Sequence, residues 1–307
     1  AVRLDSTAFF PGGGGQEADE GFVSDMKLLG LREDGADIVH LVPRPLEPGA
    51  LVEGRLDWQL RFARMQGHSG EHILSGTVHR LFGYDNVGFH MGEENMTIDF
   101  SGELTHEDLA RAELEANRAI WRNVPVRSLL PGPGELAEME YRSKKELTGQ
   151  VRIVEIPGTD VCACCGTHVE RTGEIRLIKL LGLQNYKGGV RISMLTGKDA
   201  IDDYEKKHAT IQEATHLLSV KPDQVDSGIR KLLEANAALK SKLIAFQRQV
   251  GEEKANAVLE GTKKVCFLEA NFQNGELREM CDKGAVEAEL VLGVLRIRGG
   301  MCEYVVV

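Results

Sequence analysis

The 307-residue sequence predicts an α+β protein made of four successive segments. Short apolar stretches between glycine and proline breaks in residues 1–60 are typical of β-structure, whereas residues 61–198 mix helical and strand patterns. From residue 199 a helical repeat takes over, and from residue 263 strand and helix patterns alternate. At roughly 100–200 residues per domain, this length corresponds to two or three domains.

Residues 1–60 predict a small β-barrel that carries a glycine-rich motif. The apolar stretch Ile38–Val42 is one of several short strand candidates in this segment. The run from Phe9 to Gln16 contains four consecutive glycines, which either let the backbone approach another group closely or form a flexible turn. The run lacks the Gly-Lys-Ser/Thr ending of a Walker loop, so we do not expect a nucleotide phosphate site there.

Residues 61–198 predict an α+β domain. An apolar stripe indicates a helix over residues 66–82, and Gly83 ends it. Thr105 and Asp108 form a candidate capping box for a second helix. We expect that helix to run to about residue 122, a further helix at 135–146, and strands at 151–156, 174–183 and 190–195.

Residues 199–262 predict a helical hairpin or coiled coil. Apolar residues recur at steps of three and four over 201–218 and again over 225–250, and Asn236 is the polar interruption that commonly sets register. Three arrangements would cover these apolar residues. The two segments pair as a hairpin, the longer segment pairs with another copy in a homodimer, or the C-terminal domain docks onto the last apolar residues of the longer segment.

Residues 263–307 predict the start of a C-terminal α/β domain. Both ends of the chain have strand patterns, so we expect flanking sequence beyond them.

The charge is unevenly distributed along the chain. The net charge of −10, from 37 Lys and Arg against 47 Asp and Glu, argues against general affinity for polyanions. Residues 171–198, however, carry six bases and one acid, which indicates either local contact with nucleic acid or a solvated surface. The candidate RNA-binding residues of this basic strip are Arg171, Arg176, Lys179, Lys187 and Arg191.

The cysteine pattern and the N-terminal sequence favour a reducing cellular compartment. Three of the six cysteines crowd into positions 162–165, which does not fit the disulfide framework of a secreted protein. No signal peptide is visible, and no apolar run approaches the roughly 18–20 residues of a membrane span. We therefore expect a reduced, cytoplasmic protein without a membrane segment.

Two pairs of residues predict a metal site. His68 and His72 are four residues apart on a predicted helix, so both imidazoles lie on one face with roots about 6 Å apart. Cys164 and His168 repeat that spacing in a turn that contains glycine. Thiolate and imidazole are the ligands that zinc prefers, so we predict a zinc ion bound by these four residues.

Further motifs accompany the two pairs. The second pair lies in the run Asp160–Val169, and the glycine run continues to Asp19 as FFPGGGGQEAD. Together with TIDF at 97–100 and TGEI at 172–175, these motifs resemble the editing domain of alanyl-tRNA synthetases and the free-standing AlaX editing proteins. The resemblance covers about residues 1–200, and the remainder is similar to the C-terminal extension of the long AlaX form. Cys165 and one of the glycines depart from the family pattern, where Gly and Glu are usual.

This resemblance implies a function. Residues 61–198 would be a zinc-binding editing domain that removes serine, with glycine as a second candidate, from wrongly charged alanine tRNA. His68, His72, Cys164 and His168 would bind zinc, and Gln16 with its preceding glycines would pack against the pocket and help to select serine. Position alone makes Thr167 a group that either hydrogen-bonds the substrate or stabilises the turn, and His90 one that either lines the site or is exposed. Such a second hydrolytic site is a physical remedy where a synthetase pocket rejects a similar amino acid poorly.

Two alternatives stay open at this stage. Four protein ligands close a tetrahedral shell, which is typical of structural zinc and is compatible with a tRNA-binding module without catalysis. The same helix also satisfies the HxxEH pattern of inverted zinc peptidases, with Glu71 as general base. That motif requires a downstream acidic ligand and would leave Cys164 and His168 without a role.

Overall fold

The computed structural model describes residues 1–35, 37–92, 95–143, 149–269, 272, 274–286, 288–295 and 304–307. The chain divides into two compact units, Ala1–Lys207 and His208–Val307. Both units combine helices and sheets, so the predicted α+β class is confirmed. Among the described residues, no helix has the length and apolarity that a membrane crossing requires.

The N-terminal strands form two open sheets. They are β1 (Val2–Arg3), β2 (Gly21–Val23), β3 (Met26–Lys27), β4 (Gly30–Asp34), β5 (Asp37–Leu41) and β6 (Gly54–Leu56). Their orders are β1-β5-β4 and β3-β2-β6, and no ladder joins the two sheets within the described residues. Leu28 and Leu29 carry the chain from one sheet to the other by donating to the carbonyls of Gly21 and Leu41. The predicted closed barrel over residues 1–60 is therefore wrong, because closure needs an unbroken circuit of paired strands and these strands have only two to five residues.

The core of the first unit packs two helices on an antiparallel sheet. After α1 (Trp58–Phe82) come β7 (Asn86–Met91), β8 (Met96–Phe100) and α2 (His106–Trp121). The predicted capping box is present, since the Thr105 side chain accepts from the backbone N–H of Asp108 and the Asp108 side chain accepts from that of Thr105. The helix predicted at 66–82 begins eight residues earlier, because Asp57 caps its N-terminus by accepting from Leu60 N–H.

Two predicted elements of this unit differ in the structure. The helix expected at 135–146 is the short α3 (Pro133–Glu138), which follows β9 (Arg127–Leu129). It ends because Arg142 instead pairs with the strand that contains Val161 and Cys162. Residues 144–148 lie outside the described residues. The strand expected at 174–183 begins with a 3₁₀ turn, because the Glu174 carboxylate accepts from two preceding backbone N–H groups.

A small sheet and a hairpin complete the unit. Strands β10 (Ile153–Ile156) and β11 (Asp160–Ala163) pair in the order β11-β10-β9. Strands β12 (Ile178–Tyr186) and β13 (Gly189–Thr196) extend the central sheet to the order β12-β13-β8-β7. Ile73, Leu74 and Val78 of α1 are fully buried in the core on this sheet, which fixes the rotation of α1 about its axis.

The second unit begins within α4 (Gly197–Leu218) and continues with α5 (Val225–Asn256). Strand β14 (Thr262–Glu269) runs parallel to β15 (Ala288–Leu295), and β16 (Tyr304–Val306) is antiparallel to β15. Helix α6 (Asn274–Gly284) packs on α5, where Gly251 meets the Met280 side chain. The finer division of the chain into four segments stays a prediction.

Candidate metal centre

Helix α1 supplies two buried imidazoles to a converging cluster. His68 and His72, one turn apart, are 1% and 2% exposed. The loop after β11 brings Cys164 and His168 to the same place. One donor atom from each of the four residues lies within 4.8 Å of the other three. The structure thus brings together all four residues that the spacing selected.

Hydrogen bonds at Nδ1 hold the three imidazoles. His68 Nδ1 lies 2.9 Å from Gln16 Oε1, and His72 Nδ1 lies 3.0 Å from Asp160 Oδ2. Because both partners are acceptors, these imidazoles donate from Nδ1, which leaves Nε2 as the atom that would bind a metal ion after losing any proton it carries. His168 Nδ1 lies 3.1 Å from the hydroxyl of Ser69. The hydroxyl accepts from the Val169 backbone N–H and can donate to or accept from the ring, so this contact orients His168 without fixing its tautomer.

The Cys164 sulfur contacts the imidazoles of the cluster, and these contacts shift its pKa. Its Sγ lies 3.4 Å from Nε2 of both His68 and His168. Burial raises the pKa of this thiol, but hydrogen bonds with His168, His68 and His72 outweigh it and lower the pKa to about 2. Burial is the main reason that the pKa of His168 falls to about 3. Burial opposes protonation of His72, yet Asp160, Cys164 and Glu71 hold its pKa well above the usual range.

The donor set fits zinc. In a tetrahedral site with bonds of about 2.0 Å to nitrogen and 2.3 Å to sulfur, a nitrogen and a sulfur ligand are about 3.5 Å apart. The observed sulfur–nitrogen distances of 3.4 Å agree with that separation. A second group of His72, Asp160 and Cys162 also converges. It fits less well, because both Asp160 oxygens bind Arg142 and burial raises the pKa of the Cys162 thiol.

The glycine-rich motif packs directly on this centre. Gln16 is buried, donates to Thr167 Oγ1 at 2.6 Å and accepts from the Thr167 backbone N–H at 3.1 Å. Gly15 has a φ of 88°, and a Cβ there would lie 2.6 Å from the Phe89 ring. Glycine is needed because the backbone approaches the ring so closely, which agrees with the close-approach interpretation of the four-glycine run.

A cavity of about 420 Å³ opens beside three of the four donor residues, His68, His72 and Cys164. Phe89 stacks on the His68 ring at 5.8 Å and forms part of the wall. The exposed Cys165 also faces this cavity. The remaining wall includes Gly14, Gly15, Ser143, Gln150, Val151, Arg152, Cys162 and Ala163, together with His68, His72 and Cys164.

The three other candidate site residues have different positions. Gln16 and Thr167 bind each other next to His68, and neither is among the residues that line the cavity. His90 is exposed and does not line the cavity, whereas Phe89 does. Neighbouring residues of a strand point to opposite faces, so the alternation in β7 was the signal that distinguishes Phe89 from His90.

Sequence reasoning missed the residues that hold the donors. Asp160 lies in a quoted motif, but its contact with His72 spans 88 positions and leaves no local pattern. Arg142 binds Asp160 with two hydrogen bonds of 2.7 and 2.9 Å. Arg152 donates to the carbonyls of Cys164 and Gly166 and so fixes the backbone of the ligand loop.

The Glu71 side chain of the HxxEH pattern is held by hydrogen bonds from α1 and β7. Its Oε1 accepts from the Ser75 hydroxyl at 2.7 Å and from the Asn86 amide. Its Oε2 lies 3.8 Å from His72 Nε2. Within the described residues, the group formed with His68 and His72 contains Cys164 and His168 and no carboxylate. This donor set differs from the acidic third ligand that the peptidase alternative requires.

The predicted basic strip is partly neutralised by ion pairs. Lys179 lies 2.8 Å from a Glu113 oxygen, and Arg191 forms two hydrogen bonds with Asp99 at 2.6 and 2.8 Å. Arg171 donates to a backbone carbonyl of the first unit, and Arg176 and Lys187 are exposed. The role of the strip in RNA binding stays a prediction.

Comparisons with known proteins place this chain among editing proteins and synthetases for alanine tRNA. The family described as the threonyl and alanyl tRNA synthetase second additional domain matches residues 151–193, which include Cys164 and His168. The alanyl-tRNA editing protein Aarsd1-A of Xenopus laevis is 32% identical over 254 residues, covering 81% of this chain and 62% of the relative. The chain thus spans less than two thirds of the length of that protein.

Two archaeal relatives extend the similarity. The alanine–tRNA ligase of Ignicoccus hospitalis is 31% identical over 281 residues, covering 86% of this chain and 31% of the ligase. The alanyl-tRNA editing protein AlaX-L of Pyrococcus horikoshii is 31% identical over 276 residues, covering 85% of this chain and 68% of the relative. With two thirds of that relative covered at this identity, the chain belongs to the AlaX-type family of alanyl-tRNA editing proteins.

Proposed function

We propose that the protein is a zinc-dependent hydrolase that acts in trans on alanine tRNA wrongly charged with serine, with glycine as a second substrate. The observation that carries the proposal is the convergence of His68, His72, Cys164 and His168 beside an open cavity. Family membership supports the substrate class, because the relatives are alanyl-tRNA editing proteins.

Zinc, when bound, supplies a Lewis acid that polarises an ester carbonyl or a water molecule. The chain's own residues hold the rest of the site. Asp160 and Gln16 orient His72 and His68, and Phe89 shields one side of the cavity from water. A cavity of about 420 Å³ is in the usual range for a small ligand such as an aminoacyl ester with its ribose.

Gln16 and Thr167 are the groups that we assign to recognition of serine. The Thr167 hydroxyl accepts from the Gln16 amide, so its own proton remains for donation to a substrate oxygen. A site that hydrogen-bonds a substrate hydroxyl discriminates strongly against an analogue without it. Alanine lacks the serine hydroxyl and is the cognate amino acid that such a site must spare.

We also propose a cytoplasmic location and a homodimer. The five described cysteines are free, which favours a reducing compartment, and Cys302 lies outside the described residues. The apolar seam of α5 supports the dimer.

A second candidate function is a tRNA-binding module stabilised by zinc. The closed set of four protein donors favours it, because catalytic zinc usually keeps an open position. The peptidase alternative has no comparable support, since the cluster contains no carboxylate among the described residues.

The deciding experiment compares hydrolysis of serine-, glycine- and alanine-charged alanine tRNA, with and without a chelator. We expect release of serine, weaker or no release of alanine, and loss of activity on chelation that zinc restores. Tight tRNA binding without hydrolysis of any ester would favour the binding module. Cleavage of a peptide substrate in place of the ester would favour the peptidase.

A further inference from the structure

A second cleft of the first unit, separate from the metal cavity, is rich in arginine. It has a volume of about 500 Å³ and lies where the last turn of α1, the end of α2 and the β10–β11 turn meet. We call it the arginine cleft, and it is lined by Arg80, Glu115, Arg118, Trp121, Arg122 and Gly158. Four of these residues come from two helices, Arg122 directly follows α2, and all six lie outside the basic strip.

We propose that the arginine cleft binds the phosphate backbone of RNA, with Trp121 as a stacking surface for a base. Its lining carries three guanidinium groups and one carboxylate, a net charge of +2 on a chain of net charge −10. A concave basic site on an acidic protein concentrates the field that attracts a polyanion. Arginine is also suited to phosphate, because its planar fork binds two oxygens at once.

The guanidinium groups are held in place but remain open to solvent. Arg118 lies 2.6 Å from Glu115 on the same helix, and Arg122 donates to the Thr159 hydroxyl at 3.0 Å. Neither contact uses all five N–H donors of an arginine, so both side chains keep donors for a ligand. Arg80 is exposed at the last turn of α1.

Trp121 gives the cleft a feature that a merely solvated basic surface would not need. Its side chain is 64% exposed, although its neighbour Ile120 is buried in the core. Exposed aromatic rings beside arginines are the elements of sequence-tolerant RNA binding, where each stacked base contributes about 1–3 kcal/mol. A guanidinium next to an indole therefore offers both a phosphate contact and a base contact.

The arginine cleft is connected to the metal centre through two elements. Arg80 follows His72 by eight residues on α1, which is about 12 Å along the helix axis. Thr159, which binds Arg122, precedes Asp160, which binds His72. At about 3.4 Å per stacked nucleotide, this axial separation alone corresponds to three or four nucleotides, so the path from the ester to the cleft is at least that long. With the proposed function, the cleft would contact tRNA a few nucleotides from the ester. The proposal that the cleft binds RNA rests on that function only for which RNA is bound.

Binding of an uncharged alanine tRNA transcript tests the inference without requiring hydrolysis. The triple variant Arg80→Gln, Arg118→Gln and Arg122→Gln should bind about tenfold more weakly or worse, and the slope of log affinity against log salt should fall by about one unit per lost contact. The matched variant Lys27→Gln, Arg32→Gln and Arg111→Gln removes the same charge at positions that do not line the cleft. It should reduce the slope much less.

Tryptophan fluorescence gives an independent readout. The chain has two tryptophans, so Trp58→Phe leaves Trp121 as the sole indole. Transfer RNA should quench this emission, and the arginine triple variant should shift the quenching curve to higher RNA concentration. Trp121→Ala should weaken binding while leaving the salt slope nearly unchanged, because stacking releases few counterions.

A short seryl ester of adenosine separates the two proposals. Its hydrolysis should be unchanged in the triple variant, because the substrate is too short to reach the arginine cleft, whereas KM for full-length charged tRNA should rise. Failure of wild-type protein to hydrolyse any ester would overturn the proposed function alone. An unchanged salt slope and unchanged quenching in the triple variant would overturn the RNA cleft alone.

Discussion

At the scale of single residues, Asp160 controls how His72 presents its ring to the metal. The carboxylate accepts from His72 Nδ1 and is bound in turn by Arg142. Burial raises the pKa of Asp160, but His72 and Arg142 outweigh it and hold the pKa below the usual range. The imidazole is thereby fixed in the tautomer with a free Nε2.

We predict that Asp160→Asn lowers zinc affinity by about 10- to 100-fold, the range typical of such supporting partners. The amide keeps the shape of the side chain but removes the charge that orients His72 and neutralises Arg142. Zinc affinity is measured by competition with a chromophoric chelator. Asp99→Asn is the matched control, because Asp99 also binds an arginine with two hydrogen bonds but belongs to no described metal group. Equal zinc affinity in both variants would show that Asp160 does not support the centre.

Removal of a proposed ligand should have a larger effect. His72→Ala or Cys164→Ala should abolish most zinc binding and deacylation, since each deletes one of four bonds. Elemental analysis and the ester assay measure the two losses. Cys165→Gly, which restores the family pattern, should retain both properties, because Cys165 belongs to no described metal group although it lines the cavity. Loss of zinc in Cys165→Gly would show that Cys165, and not Cys164, is the thiol ligand. Full activity of a zinc-free Cys164→Ala protein would refute the mechanism.

At the scale of elements, the close packing of α1 on the β10–β11 hairpin joins the two pairs of donors. Gly76 faces the hairpin turn, and a Cβ there would overlap the Thr159 carbonyl and lie 2.8 Å from Asp160 Cβ. Glycine in a helix normally costs about 1 kcal/mol relative to alanine. Its presence at this position allows the helix and the turn to approach.

We predict that Gly76→Ala destabilises the protein by about 1–3 kcal/mol despite the gain in helix propensity, because the obstructing atoms include rigid backbone. Zinc affinity should also fall, since Asp160 must move. Gly67→Ala is the control on the same helix, where the nearest atoms are the flexible ends of Met96 and Met91. Urea unfolding compares the two variants. If Gly67→Ala proved the more damaging, packing against the hairpin would not be the limiting contact.

At the scale of the whole molecule, helix α5 exposes an apolar seam. Leu239, Leu243 and Phe246 are 51–66% exposed in the single chain. Helix α6 packs on another side of α5, where Gln247, Gly251 and Ala255 are buried. The C-terminal helix α6 therefore packs on α5 next to Phe246 and leaves that ring exposed, while Val250 is half-buried. An exposed heptad seam of this kind is typical of a surface that pairs with another helix.

We predict that the intact protein is a dimer through this seam. Leu243→Glu with Phe246→Glu should give a monomer, because charges cannot be buried in the seam without a partner. Ser241→Glu with Ala245→Glu adds the same charge to exposed positions outside the heptad seam and should remain dimeric. Light scattering measures the mass of all three proteins. A monomeric mass for the intact protein at high concentration would rule the dimer out.

The local patterns of the sequence determined the donors and most of the helices. Spacing of four residues places His68 and His72 on one helical face, and the Thr105–Asp108 pair marks a helix start, because both depend only on neighbours within one turn. The same local reasoning wrongly extended α3, where pairing of Arg142 with β11 ends the helix. It also could not determine whether short N-terminal strands close into a barrel.

Only the tertiary structure decided what surrounds the donors. The contacts of His68 with Gln16, His72 with Asp160 and His168 with Ser69 join residues 52 to 99 positions apart, so no periodicity reports them. The arginine cleft likewise brings Arg80 of α1 next to Arg118 and Arg122 at the end of α2, although about 40 positions separate them in sequence. Local sequence sets which face of an element a side chain occupies, whereas the partners of that face depend on how the elements pack.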